Sequence, residues 1–192
     1  MKQKKLNPLI QAGMIAALYA AFTYAAMMLN IAYGPVQFRF SEALTILPAV
    51  TSAAIPGLSI GCFLANLTSP YGPVDWIFGT LATLIAALLS RSLRKLQWKG
   101  IPYLAPLPPV LVNAVVVGLV VTMEVSAFTD GAILTTNSFS LTVFLSNFLW
   151  VGLGQLACCY GLGLPFYIAL KKSGLLRFFE SNQTLAGDKH DK

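Results

Sequence analysis

Two oppositely charged residues, Arg39 and Glu42, stand three positions apart in a chain of which only 10% of the residues are charged. They lie in the segment 34–45, between the first two apolar stretches. Charge is costly in or beside a membrane, so such groups line a substrate path, form a binding site or pair structurally. A carboxylate accepts two parallel hydrogen bonds, and a guanidinium donates to carboxylate or carbonyl oxygens. The segment is therefore the first candidate for ligand binding.

Other polar side chains fall near the same, outer ends of the predicted membrane spans. Counting back from Lys171 at about 1.5 Å per residue, for example, puts Gln155 about 6 Å below the outer boundary. This convergence at one side predicts a pocket that opens outward rather than a pore lined from side to side. The candidate binding residues are Gln37, Phe38, Arg39, Glu42, Asn66, Asp75, Trp76, Glu124, Asn147 and Gln155.

Each candidate also has a structural alternative, which the sequence leaves open. Arg39 and Glu42 could simply pair with each other. Asp75 could stabilise the N-terminus of its helix. Asn66 and Gln155 could form hydrogen bonds between helices. The remaining alternatives are a solvated rim position for Glu124 and an interfacial aromatic belt for Trp76, Tyr33 and Tyr71.

Composition indicates an integral membrane protein that crosses the cell membrane several times. The 192 residues are 56% apolar with a mean hydropathy of +0.70, which leaves too little charge to cover a soluble domain. Several apolar runs reach the roughly 20 residues that a membrane-spanning helix needs. The first run, 8–32, is too long for the core of a signal peptide, so we interpret it as a retained span.

The distribution of charge argues against nucleic acid as a partner, although the formal net charge is +6. Ten of the 13 Lys and Arg residues fall in three blocks, 2–5, 91–99 and 171–177, and none lies between Lys99 and Lys171. Clusters at the ends of spans follow the positive-inside rule.

Nothing in the sequence predicts a metal, a cofactor or an enzyme. The three cysteines have no metal-ligand spacing. The predicted spans contain no histidine and no convincing pair of nucleophile and base, so no catalytic residue is assigned.

The number of spans follows from the segment 42–69, which Pro48 and the Ile55-Pro56-Gly57 breaker interrupt. One span there would place the basic block 91–99 outside. Two short spans keep all three basic blocks on the cytoplasmic side. The sequence thus predicts an all-α protein with six membrane helices and both termini in the cytoplasm. The predicted spans are 8–32, 42–54, 56–69, 74–96, 107–128 and 141–170.

We expect residues 1–176 to form one six-helix substrate-binding domain in the membrane and 177–192 to form a polar, disordered cytoplasmic tail. The second and third helices are too short to cross upright alone, so they should pack against neighbours. Short or broken helices of this kind are a pointer to a substrate site.

The first helix carries small residues in two adjacent rows, which together form a smooth face for close helix packing. One row is Ala12, Ala16 and Ala20, and the next is Gly13, Ala17, Ala21 and Ala25. The face could pack within this chain or dock onto a separate membrane subunit. The predicted docking residues are Ala12, Ala16, Ala17, Ala20 and Ala21.

Four segments together resemble one protein family: 34–48 (GPVQFRFSEALTILP), 75–88 (DWIFGTLATLIAAL), 104–118 (LAPLPPVLVNAVVVG) and 152–165 (GLGQLACCYGLGLP). The sequence is similar to the substrate-binding S subunits of energy-coupling factor (ECF) transporters, in the branch assigned to queuosine precursors. The resemblance covers roughly residues 8–172.

The resemblance implies a six-helix subunit that captures a 7-deazaguanine from outside. It also implies a transmembrane coupling subunit and two cytoplasmic ATPases as partners, with the Ala16 and Ala20 face as the docking surface. One departure stands out, because Gln155 occupies a position where we expect this family to carry glutamate. Because glutamine carries no charge, this departure bears on substrate preference, particularly on the preference for a cationic aminomethyl side chain.

A recognition hypothesis follows from the implied ligand. The guanine-like edge offers a ring N–H and an exocyclic amine, which match the two oxygens of Glu42. Arg39 would orient Glu42 or donate to the ring carbonyl, and Asp75 would accept from a protonated aminomethyl group. Trp76 or Phe38 would stack on the ring, and Gln37, Asn66 and Gln155 would complete the polar wall.

Three other functions compete with this hypothesis. The chain could be an S subunit for another vitamin or nucleobase, because specificity lies in the pocket rather than in the fold. It could also be a self-sufficient channel or secondary carrier, which the one-sided polar clustering disfavours. A membrane-embedded enzyme is the third alternative.

Overall fold

The computed structural model describes residues 6–33, 37–130 and 139–179, with side chains for all of these except 124–130 and 178. Helices account for most of the described chain, which confirms the all-α prediction. Within the described ranges, extended backbone pairs only at one isolated β-bridge, between Trp98 and Ile101. In chain order the elements are α1 (Pro8–Met28), a 3₁₀ helix (Phe40–Ala49), α2 (Ala54–Asn66), α3 (Gly72–Ser92), a 3₁₀ turn (Leu93–Lys95), α4 (Leu107–Asp130), α5 (Leu141–Leu156), a π-helical segment (Ala157–Leu162), α6 (Gly163–Lys172) and α7 (Leu176–Phe179).

Helix α1 begins and ends where local chemistry dictates. The side chain of Asn7 accepts a hydrogen bond from the backbone N–H of Leu9 at 3.0 Å, and Pro8 occupies the first turn, where its missing N–H costs nothing. The helix ends at Met28, four residues earlier than predicted, because Asn30 adopts a left-handed backbone with φ of 57°.

The predicted second span is a 3₁₀ helix rather than an α-helix. It runs antiparallel to α1: Thr23 donates to Ser41 at 2.8 Å near one end, and Thr51 donates to Gln11 at 2.9 Å near the other. A 3₁₀ helix rises about 2.0 Å per residue, so ten residues cover about 20 Å. The stretched geometry lets this short segment follow most of the length of α1.

Helix α2 packs against α1, and its glycines form the contact. A Cβ atom on Gly61 would lie 2.8 Å from the carbonyl oxygen of Ala16, and one on Gly57 would lie 2.8 Å from that of Ala12. The two backbones therefore approach as closely as glycine alone permits. This contact buries the side-chain row Ala12, Ala16 and Ala20 inside the chain.

The predicted docking set is corrected accordingly. Ala12, Ala16 and Ala20 pack within the chain, which is the first of the two alternatives that the sequence left open. Ala17 and Ala21, in the neighbouring row, are exposed on the outer surface of α1. The docking prediction is retained only for these two residues.

The remaining helices complete the bundle, with α3 packed between α2 and α4, and α4 against α5. Three helical runs are long and apolar enough to cross a membrane: Pro8–Met28, Gly72–Lys95 and Leu141–Lys172. Helix α2 and the part of α4 from Leu107 to Met123 are shorter apolar helices. The membrane class is thereby supported, while six complete crossings and the cytoplasmic position of both termini stay predictions.

Two of the basic blocks contact the connecting segments at one end of the bundle. Arg91 donates to the carbonyl oxygen of Pro48 at 3.0 Å, and Lys171 donates to that of Gly100 at 2.8 Å. Pro48 lies near the end of the 3₁₀ helix that meets the start of α1. This grouping agrees with the charge argument for the number of spans.

The C-terminal part of the domain is anchored by Leu176. Its side chain is buried in a core with Ile46, Ala105 and Tyr167. Helix α7 continues to Phe179, just past the predicted boundary at residue 176. The predicted tail from residue 180 onward lies outside the described residues.

Candidate functional site

Glu42 lies in the first turn of the 3₁₀ helix and is only 2% exposed. Its Oε1 accepts a hydrogen bond from the Tyr19 hydroxyl at 2.7 Å, whereas its Oε2 is buried with no hydrogen-bond partner among the described residues. Tyr19 is a fully buried residue of α1 that the sequence analysis did not select. Its signal was a phenol in the middle of an apolar span, because a buried tyrosine hydroxyl normally has a partner.

The contact with Tyr19 locates Glu42 along the length of α1. Tyr19 precedes the last residue of α1, Met28, by nine positions, which is about 14 Å along the helix axis. Glu42 is thus beside the middle of α1 rather than on the outer connection. Gln155 lies near the centre of the 32-residue helical run Leu141–Lys172.

Arg39 is buried and makes three polar contacts, none of them with Glu42. Its Nε donates to the Ala32 carbonyl at 3.1 Å, its Nη1 donates to Asn66 Oδ1 at 3.3 Å, and its Nη2 lies 3.7 Å from Asp75 Oδ2. The guanidinium also lies 4.7 Å from the centre of the Tyr33 ring, a cation–π distance. The alternative in which Arg39 pairs with Glu42 is wrong, since the partner is Asp75.

The backbone explains this choice of partner. Arg39 directly precedes the 3₁₀ helix and is extended, with φ of −105° and ψ of 116°. Glu42 is already inside the helix, so the two side chains leave the backbone in different directions despite their spacing.

Asn66 and Asp75 join the ends of α2 and α3 around this guanidinium. Asn66 Nδ2 donates to the backbone carbonyl of Asp75 at 3.1 Å, while its Oδ1 accepts from Arg39. Gly79, one turn after Asp75, leaves the space for both side chains, because a Cβ there would collide with the Asp75 carboxylate and the Asn66 amide. Asp75 is therefore more than a favourable charge at a helix N-terminus.

Gln37 brings the connection between α1 and the 3₁₀ helix against α5. A Cβ atom on Gly154 would overlap the carbonyl oxygen of Gln37, so only glycine permits this approach.

The next residue, Gln155, is buried beside the Glu42 carboxyl group and accepts from the Cys159 thiol at 3.6 Å. Helix α5 then changes to π-helical geometry at Ala157, a feature that is frequent at functional sites.

Aromatic and hydroxyl groups extend the site along α3. Trp76 is half-buried, and its Nε1 is buried without a partner. Thr80 follows one turn later, and its hydroxyl is likewise buried and without a partner. The sequence analysis missed Thr80, whose four-residue spacing from Trp76 was the available signal. Phe38 is half-buried and packs edge-to-face against Phe40, with ring centres 5.6 Å apart.

Two predicted site residues are not brought into this group. Asn147 is buried but donates to Thr122 Oγ1 at 3.0 Å, so it joins α5 to α4. The fully buried Val151 lies one turn away on α5, between Asn147 and Gln155. The side chain of Glu124 lies outside the described residues.

Unsatisfied polar atoms are concentrated at this site. Within the described ranges, the buried side-chain nitrogen and oxygen atoms without a hydrogen-bond partner all come from the segments 37–42 and 75–80. We call these atoms the orphan set: Gln37 Nε2, Arg39 Nη2, Glu42 Oε2, Asp75 Oδ2, Trp76 Nε1 and Thr80 Oγ1.

The orphan set is what a ligand site requires. An unsatisfied buried polar group costs about 1–3 kcal/mol, and native proteins leave few of them. Three members of the set are N–H donors, two are carboxylate acceptors, and the threonine hydroxyl is both. A small, flat, polar molecule with donors and acceptors on its edges would satisfy them together.

Metal binding has no support in the described part of the chain. There, no three side chains of the His, Cys, Asp and Glu types come together as metal ligands. Cys62, Cys158 and Cys159 are buried and unpaired as disulfides. Cys62 instead contacts the site as the acceptor for Thr83 at 3.2 Å and Asn66 at 3.4 Å.

The described chain thus combines apolar helices of membrane-spanning length with a cluster of buried polar side chains between its helices. The chain belongs to the QueT transporter family, whose sequence pattern it matches over residues 9–172. This membership confirms the queuosine-precursor branch that the sequence segments resembled.

One relative is a Lactococcus lactis subsp. cremoris protein named queuosine precursor transporter QueT. It is 36% identical to this chain over 85 residues, which make up 44% of this chain and 50% of that relative. The match thus spans half of the relative's length. No solved structure matches the chain.

Proposed function

We propose that the protein is the membrane subunit that captures a queuosine precursor, a 7-deazaguanine, for uptake into the cell. Membership of the QueT transporter family and the name of the Lactococcus relative support this substrate class. The observation that carries the proposal is the orphan set, because its donors and acceptors complement the polar edge of a guanine-like base.

Glu42 is the proposed reader of that edge. Its free Oε2 accepts from the ring N–H, and Oε1 keeps a lone pair for the adjacent exocyclic amine while it accepts from Tyr19. Charge-assisted paired hydrogen bonds of this kind give geometric specificity. An adenine-type base, which lacks the ring N–H at this position, would leave Oε2 unsatisfied.

The donors of the orphan set are proposed to bind the ring carbonyl oxygen. Arg39 Nη2 is held by the contacts of the same guanidinium with Asn66 and Ala32, and Gln37 Nε2 is a second donor. Trp76 or Phe38 would stack on the flat ring. Asp75 would accept from a group attached to the ring, because its Oδ2 has no hydrogen bond of its own.

We further propose that uptake is powered by a transmembrane coupling subunit and two cytoplasmic ATPases, as in ECF transporters. The exposed residues Ala17 and Ala21 are the proposed contact with the coupling subunit. Small residues on a lipid-facing surface support close approach of a partner helix.

Uptake in cells with and without the ECF ATPases tests the energy source. Loss of uptake of a labelled 7-deazaguanine without the ATPases supports a capture subunit. Undiminished uptake would support the alternative of a self-sufficient secondary carrier. A ligand panel of other vitamins and nucleobases, titrated onto the purified protein, tests the alternative of an S subunit for another substrate.

A further inference from the structure

The connection between α3 and α4 contains a tight two-residue turn at the end of the bundle that carries the basic blocks. Trp98 and Ile101 pair through their backbones, with an N–H···O distance of 3.0 Å in each direction. The two residues between them, Lys99 and Gly100, have φ angles of 52° and 72°. Both angles lie in the left-handed region, as a type I′ turn requires. We call residues 98–101 the basic turn.

Lys99 is an unusual residue at its position in the basic turn. Glycine and asparagine adopt a left-handed backbone at little cost, and the pair Asn-Gly is preferred in two-residue turns of this kind. A side chain that holds its backbone in a disfavoured region points to a functional constraint. The lysine at position 99 therefore needs an explanation other than turn geometry.

The basic turn is fixed in place by contacts with α6. The carbonyl oxygen of Gly100 accepts hydrogen bonds from Lys171 Nζ at 2.8 Å and from the Tyr167 hydroxyl at 3.4 Å. Ile101 packs against the core that contains Tyr167. A second ammonium group thus lies beside the turn, and the bond to Gly100 uses only one of its three N–H donors.

The surface of the basic turn combines positive charge with an exposed aromatic side chain. Trp98 is 67% exposed, and Lys99 Nζ lies 5.1 Å from the centre of its ring. The indole also packs against Tyr103, with ring centres 5.8 Å apart. Tryptophan and lysine are both suited to the boundary between lipid tails and headgroups, because each joins an apolar body to a polar end.

The described part of the chain does not offset the positive charge at this end of the bundle. The blocks 91–99 and 171–177 contain seven Lys and Arg residues. Among the side chains that the structure describes, the carboxylates are those of Glu42 and Asp75, and both are buried in the candidate site. The surface around the basic turn therefore favours an anionic partner.

The position of the basic turn favours a lipid as that partner. The apolar helical run Gly72–Lys95 is about 36 Å long, so the residues just beyond it reach the depth of the headgroups. Leu96 and Leu175, in or beside the two basic blocks, are about half exposed. A partner with both a phosphate and an apolar body matches this surface better than a soluble anion does.

We infer that the basic turn binds the phosphate group of an anionic phospholipid. Lys99 and Lys171 are the donors, and Trp98 packs against the lipid just below the phosphate. The contact lies at the opposite end of the 3₁₀ helix from the candidate site, and it does not depend on which substrate the protein carries.

Native mass spectrometry of the purified full-length protein measures lipid binding directly. The protein in detergent is titrated with phosphatidylglycerol and, separately, with zwitterionic phosphatidylcholine of the same acyl chains. We expect phosphatidylglycerol to bind at least about fivefold more tightly, since that is the contribution of one lysine beside anionic lipid. Equal binding of the two lipids would overturn the inference.

Two substitutions of Lys99 separate its charge from its backbone role. Lys99→Asn introduces the preferred Asn-Gly pair, so the melting temperature in lipid-free detergent should stay the same or rise, while phosphatidylglycerol binding weakens about fivefold. Lys99→Arg keeps the charge and should bind this lipid normally. Phosphatidylglycerol binding by Lys99→Asn within about twofold of the wild type would show that the charge of Lys99 has no part in lipid binding, which overturns the inference.

Two further measurements exclude other anionic partners. Glycerol 3-phosphate carries the phosphate without the acyl chains, and it should not displace phosphatidylglycerol at equal concentration. Displacement would mean that the surface takes a soluble phosphate. If Lys99→Asn instead loses assembly with a coupling subunit while it binds phosphatidylglycerol normally, the partner is a protein, and the inference fails.

Discussion

The hydroxyl group of Tyr19 donates a 2.7 Å hydrogen bond to Glu42 Oε1 about half-way along α1. This contact joins the 3₁₀ helix to the first helix at the level of the candidate site. It fixes one oxygen of the carboxylate, while the other, Oε2, has no hydrogen-bond partner in the part of the chain that the structure describes. Tyr19 thus has the position of a residue that holds a ligand-binding group in place.

Tyr19→Phe should weaken binding of 7-aminomethyl-7-deazaguanine about threefold to tenfold, because hydrogen bonds to charged groups are worth about 1.5–3 kcal/mol and only part of this acts on the ligand. Calorimetric titration of the purified variant measures the change. Thr23→Val is the matched control, since Thr23 bonds to Ser41 one turn away in the same helix pair. It should lower the melting temperature without changing affinity. A Tyr19→Phe affinity within about twofold of the wild type would exclude the positioning role.

Glu42→Gln should weaken binding of the same compound by about tenfold or more, because the substitution replaces a charged acceptor with an amide that presents a donor to the ring N–H. Glu180→Gln, which removes the same charge from the C-terminal region, should bind normally. An affinity of Glu42→Gln within about twofold of the wild type would remove Glu42 from the ligand site.

Gly79→Ala should reduce binding while the fold stays stable. The added Cβ would meet only the ends of the Asp75 and Asn66 side chains, which can move aside, and alanine favours the helix by about 1 kcal/mol. Displacing both side chains disturbs the partners of Arg39, so we expect affinity to fall about tenfold. Gly13→Ala adds the same methyl group in open space on α1 and should leave binding unchanged. Normal ligand affinity in Gly79→Ala would contradict this expectation.

Ala17→Trp should separate capture from transport. Ala17 is exposed on α1, so a large side chain there should leave ligand binding by the purified subunit intact and block close approach of the coupling subunit. Cellular uptake of labelled ligand should then fall to background. Leu153→Trp, at another exposed position, should transport normally. Normal uptake by Ala17→Trp would show that this face of α1 is not the docking surface.

The sequence was sufficient to predict the helices that depend on long apolar runs and strong end signals. The start of α1 at Pro8, the helix from Leu107 and the helical run from Leu141 all lie where the pattern predicted them. Five of the six residues that carry the orphan atoms, all except Thr80, were among the candidates that the sequence had marked.

The sequence could not predict which side chains meet, because that depends on backbone geometry. Charge spacing suggested that Arg39 and Glu42 could pair, yet the extended backbone at Arg39 directs its side chain to Asp75. The 3₁₀ geometry was equally hidden, since no composition rule separates it from a short α-helix in ten residues that include Pro48. Tyr19 and Thr80 had weaker sequence signals, which their contacts or unpaired atoms in the structure made clear.

Native mass spectrometry of the purified protein is the most direct test of the central claim that the orphan set binds a 7-deazaguanine. Wild-type protein and Glu42→Gln would be isolated from cells supplied with 7-aminomethyl-7-deazaguanine, and any bound molecule would be released and identified. We predict that the wild type carries this compound and that Glu42→Gln carries much less. A wild-type protein that carries a chemically unrelated molecule, or equal loading of the two proteins, would contradict the account.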